Sequence, residues 1–83
     1  MKIKEYAEIK KIFLYNFFAL CLHYEISDAF IIETTHVTQN NLDKYRHHNK
    51  PISEEKIFAM AKVLELPMEK IFTSHRYEPE NNE

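Results

Sequence analysis

The chain has 83 residues, 45% of them hydrophobic and 29% charged, with a formal net charge of −2. That length makes one domain that buries only about 60–65% of its unfolded surface, and the balance of apolar and charged residues is that of a globular fold rather than a disordered chain. The single cysteine excludes an internal disulfide framework and a cysteine-based zinc site. There is no glycine at all, although glycine is the residue best suited to end a helix in the left-handed conformation.

From Ile3 to Tyr24 the pattern is helical. Ile3, Tyr6, Phe13, Phe17, Leu20 and Tyr24 recur at helical spacings, and a second apolar line of Leu14, Phe18, Cys21 and Leu22 runs beside them. Lysines before the apolar run from Ile12 to Leu22 give it the outline of a signal peptide, but Glu5, Glu8 and Asn16 interrupt that outline. The run is also too short for a bilayer, which needs about 20 apolar residues. A cytoplasmic protein is expected. Cys21 reads as a small core hydrophobe.

Ser27 suits the N-cap of a second helix from Asp28 to Thr35, with Asp28 near its positive end. Thr35-His36-Val37 reads as a tight turn. Thr38 then caps a third helix ending at Arg46, on which Gln39, Asn40, Asp43, Lys44 and His47 share one side while Leu42 and Tyr45 point the other way. Amides on an exposed helical face match the edges of adenine in the DNA major groove. After Pro51, Ser53 caps a fourth helix with the buried stripe Ile57, Met60, Ala61 and Leu64. Pro67 precedes a last short helix, Met68 to Thr73, and residues 74–83 form a polar tail expected to be disordered. No repeat, second domain or strand pattern is present, so the expectation is an all-α domain over residues 1–73 with an N-terminal extension over 1–12.

Two stretches resemble the lambda-repressor-like, Cro/C1-type helix-turn-helix family. Residues from Ser27-Asp28-Ala29 through Thr38-Gln39-Asn40-Asn41-Leu42 resemble its helix–turn–helix unit. Those from Ile52-Ser53-Glu54 to Lys70-Ile71-Phe72 resemble its last two helices, with Ala61-Lys62-Val63-Leu64 followed by Phe72 as the more specific signal. The likeness covers about Phe13 to Phe72 and implies a compact five-helix domain with an extended first helix. It implies a dimer reading double-stranded DNA across a two-fold site. Gln39, Asn40 and Lys44 fall on base-reading positions, and Thr38 on the position that caps the helix and touches phosphate. Asn41, Arg46, His47 and Lys50 are added as phosphate contacts.

The chain departs from the family in several places. His36, Glu25, His48 and Glu65 stand near helix ends where the family favours glycine, and Ile32 replaces the small residue of the turn. Asp28 stands where a phosphate-binding glutamine is common. The family's basic residue on the first helix and acidic residue ending the third are here Cys21 and Arg46, which leaves Arg46 free to turn toward DNA.

The competing chemistry is weak. Neighbouring His47 and His48 diverge by about 100° on a helix and lack a cysteine or carboxylate to complete a tetrahedron, so no metal is expected. Their imidazoles, near a phosphate backbone, would tighten binding as pH falls through about 6.5. No nucleophile–base pair or substrate loop suggests an enzyme, and no cofactor is implied. Leu14, Phe18, Leu22 and Phe30 form surplus apolar surface expected to be a dimer or partner interface. That surface, with the acidic balance, also suits a different function on the same fold: a protein-binding module of antirepressor, inhibitor or antitoxin-like kind.

Overall fold

The structure, a computed structural model, describes residues 3–65. Within them the chain is all-helical: α1 (Ile3–His23), α2 (Asp28–Thr35), α3 (Gln39–Arg46) and α4 (Glu54–Leu64). The expected helix from Met68 to Thr73 and the tail 74–83 lie outside the described residues. No helix among those described is long and apolar enough to cross a membrane.

One local device starts three of the four helices. Ser27, Thr38 and Ser53 sit in extended backbone, and their hydroxyls accept the N–H of Phe30, Asn41 and Lys56. Each satisfies one of the amides that a helix start leaves unpaired. Each cap is flanked by an apolar residue before it and another four residues after it: Ile26 with Ile31, Val37 with Leu42, Ile52 with Ile57. All six belong to, or pack against, the one hydrophobic core. That is the hydrophobic-staple pattern, which fixes the angle at which the chain enters the helix.

The helix ends share a device too. Glu25, His36, His48 and Glu65 all have φ between 55° and 62°. After α1 the Ile26 N–H reaches the Cys21 carbonyl and the Glu25 N–H reaches Leu22; after α3 the Asn49 and His48 N–H groups reach Lys44 and Tyr45 in the same way. These are Schellman closures built without glycine. At the end of α2 the His36 N–H closes on the Ile32 carbonyl at 2.7 Å.

The core joins Phe13, Leu14, Phe17 and Cys21 of α1 to Ile31, Val37, Leu42, Tyr45, Ile52, Ile57, Met60 and Ala61. Phe17 is fully buried, and it packs against Phe13 at a centroid distance of 5.9 Å and edge-on against Phe18 at 5.1 Å. α2 packs mainly on α4, and α1 lies across α3 and α4. The face that α1 buries holds the expected Phe13, Phe17 and Cys21 and adds Leu14. Leu14 and Cys21 of the second apolar line are core, whereas Tyr24 of the first is exposed. The two lines are neighbours on a helix, and contact with α3 and α4 selects residues from both.

Candidate nucleic-acid interface

α3 is held from one side only. Leu42 and Tyr45 are buried, while Thr38, Gln39, Asn40 and Lys44 are exposed. Its position relative to α2 is set by the turn between them. There the buried Thr35 hydroxyl donates to the Ile31 carbonyl at 2.7 Å and accepts the Val37 N–H at 3.2 Å. The hydroxyl thus satisfies a turn amide that would otherwise be buried and unpaired. The turn between α2 and α3 therefore has a local cause in Thr35, the left-handed His36 and the staple of Val37 on Leu42.

Arg46 is not turned outward. The expectation that it is released to contact phosphate is corrected by two ion pairs: Nη2 to Asp28 Oδ1 at 2.7 Å and Nη1 to Asp43 Oδ1 at 2.9 Å. Its guanidinium also lies over the Phe18 ring, 4.6 Å from the centroid. The missing first-helix partner is replaced by one on α2. Hydrogen bonding from Arg46, and then from Gln39, holds the Asp28 carboxyl below the usual carboxylate range. Cys21 lies beneath this pair, and burial pushes its thiol up to about 11, so it stays protonated at neutral pH.

Gln39 belongs to the same cluster. Its Nε2 donates to Asp28 Oδ2 at 3.0 Å and to Asp43 Oδ1 at 3.2 Å. Two carboxylates against one guanidinium leave a net negative charge beside the Gln39 side chain. Positive charge sits elsewhere. Lys50 Nζ donates to Asn41 Oδ1 at 3.2 Å, so two residues expected at phosphate are brought together, and an ammonium keeps further donors free. His47 and His48 are exposed and Lys44 projects into solvent. Beyond Lys50, a cleft of about 470 Å³ between α1 and the α3–α4 connection is lined by Tyr6, Lys10, Lys11, His48, Lys50 and Ile52 among others. Lys10 closes it, donating to the Ile52 carbonyl at 2.8 Å and lying 4.8 Å from the Tyr6 ring centroid. The Tyr6 hydroxyl donates to the Glu54 carboxylate, which pushes the phenol up to about 12. Sequence reasoning missed Lys10 and Lys11 because they lie on α1, far along the chain from α3.

The expected apolar interface is reduced. Leu14 is 2% exposed and belongs to the core, and Phe18 is half-buried beneath Arg46. Leu22 is 82% exposed and Phe30 50%. Leu22 lines a shallow groove with Tyr15, Phe18 and Ala19 that Phe30 does not share, so these four side chains are not one surface. Among the described residues no group of three His, Cys, Asp or Glu side chains could hold a metal ion.

Compared with known protein families, curated proteins and solved structures, the chain matches none.

Proposed function

We propose that this chain is a sequence-specific DNA-binding transcriptional regulator of phage, plasmid or bacterial type, built as a Cro/C1-like helix-turn-helix domain that inserts α3 into the major groove. The observation that carries this reading is the one-sided anchoring of α3: Leu42 and Tyr45 are buried, and Gln39, Asn40 and Lys44 stand exposed on a helix whose start is capped by Thr38. Asn40 and Lys44 project as direct base readers. Lys50 with Asn41, the Thr38 cap and His47 face the backbone, and Arg46 serves to orient α3 instead of touching phosphate.

The test is a fluorescence-anisotropy titration against a random duplex at 50 and 200 mM salt. The Lys44 and Lys50 ammoniums of each half of a dimer together displace about four counterions from the duplex, Lys44 from a base edge beside the backbone and Lys50 at phosphate, so affinity is expected to fall on the order of 100-fold between those salts. Lys50→Ala should weaken binding to every sequence alike and flatten the salt slope by about 2 per dimer. A flat titration at both salts overturns the DNA reading.

One observation favours the second reading, a protein-binding module on the same fold. Asp28 and Asp43 place carboxylates beside the leading residue of α3, where a DNA partner presents phosphate. In either case dimer formation is expected through the exposed Leu22 edge of α1. Sedimentation equilibrium should give twice the monomer mass for the parent and the monomer mass for Leu22→Glu; a monomeric parent refutes the dimer.

A further inference from the structure

The state of the Gln39 amide restricts what it can read. Asp28 and Asp43 both bond the same guanidinium, and an ionised carboxylate only accepts hydrogen bonds. The amide must therefore turn its NH2 toward them, because the flipped orientation would set Oε1 against two anions. Both hydrogens of Nε2 are then used, one on Asp28 and one on Asp43. Oε1 is the remaining hydrogen-bonding atom of the side chain, and it has no N–H beside it to offer.

A glutamine that recognises adenine in the usual way donates to N7 while accepting from the N6 amine. Here the donating half is absent. We infer that Gln39 reads DNA as an acceptor alone, selecting a base that presents an exocyclic amine in the major groove, adenine or cytosine, and rejecting guanine and thymine. The inference rests on the reading of α3 as the groove-entering helix. Its chemistry is single-valued: the major-groove donors are adenine N6 and cytosine N4, whereas guanine N7 and O6 and thymine O4 are acceptors. The carboxylates behind the amide add a negative field that repels those acceptors further. Asn40, which has no such tether, keeps both halves of its amide for bidentate adenine contact.

The experiment is selection of bound duplexes from a randomised pool by the intact chain, with Gln39→Ala run in parallel to identify the base pair whose preference disappears. At that pair the parent should accept adenine and cytosine on one strand about equally, a degeneracy that bidentate glutamine does not produce. Where adenine is present, 7-deazaadenine, which lacks N7, should bind within about twofold of the parent duplex. 2-Aminopurine, which moves the amine to the minor groove, should weaken binding about fivefold, the value of one hydrogen bond. Asp43→Ala frees one N–H of Gln39 and should narrow the preference to adenine alone. Selection of adenine only by the parent, with loss on 7-deaza substitution, overturns the inference and leaves DNA binding standing; selection of guanine or thymine does the same. If no sequence is enriched, the DNA reading itself falls and this inference with it.

Discussion

Placing glycine at Glu25, His36, His48 and Glu65 together is expected to stabilise the fold by about 2–3 kcal/mol and raise its thermal midpoint by about 10–20 °C. Each residue holds φ near 60°, where a Cβ crowds the following carbonyl at a cost of about 1–2 kcal/mol. Glycine removes that cost and returns about 0.5–1 kcal/mol through its greater freedom when unfolded. The gain is smallest at His36 and His48, because histidine tolerates this region better than glutamate does. All four side chains are exposed, so their removal opens no cavity. The bonds that close the helices are made by backbone N–H groups, which glycine keeps. Two controls isolate the cause. Alanine at the same positions keeps the Cβ and should leave stability within about 0.5 kcal/mol of the parent, while Lys62→Gly, in the regular backbone of α4, should cost about 1 kcal/mol. Thermal melts followed by far-UV circular dichroism decide it: a quadruple variant melting no higher than the parent refutes the claim of stored strain.

These helix ends also mark how much of the fold was legible in the residues. The starts of α2, α3 and α4 were, since Ser27, Thr38 and Ser53 are hydroxyl residues set before helical patterns, and capping is a local interaction. Of the four left-handed positions, Glu25, His48 and Glu65 stood out only as helix ends without glycine, and His36 as the residue in the turn. The buried face of α1 was legible only in part. Leu14 and Leu22 lie on the same apolar line, yet one is core and the other is mostly in solvent. Periodicity finds a helix but cannot choose between adjoining stripes when packing against other helices makes the choice. The candidate site divides the same way. Exposure of Gln39, Asn40 and Lys44 followed from spacing on one helix. The Asp43–Arg46 pair, at a spacing of three, was within reach of the same reasoning. The bond from Arg46 to Asp28 spans 18 residues, and a charge seen without its partner looks free.

That cluster is the source of the second large effect. Arg46→Ala is expected to destabilise the fold by about 2 kcal/mol at neutral pH, because it removes two charged hydrogen bonds and the cover over Phe18. Arg46→Met keeps apolar contact with the ring and so separates packing from charge. The charge part carries a pH signature whose sign is fixed. The Asp28 carboxyl titrates lower in the folded chain than its ordinary value because Arg46 and then Gln39 bond its ionised form. Its contribution is therefore fully present above the unfolded carboxylate value of about 3.9 and is lost as pH falls through the lower folded value. Arg46→Met removes the larger of those two causes and leaves Asp28 and Asp43 in mutual repulsion around Gln39. Urea denaturation from pH 7 to pH 3 should show the parent and Arg46→Met far apart at neutral pH and converging below about pH 4, as the Asp28 carboxylate protonates. A stability gap that stays constant across that range assigns Arg46 a packing role alone. The Gln39 tether survives that outcome, because a carboxylate that stays ionised without a cation still only accepts hydrogen bonds.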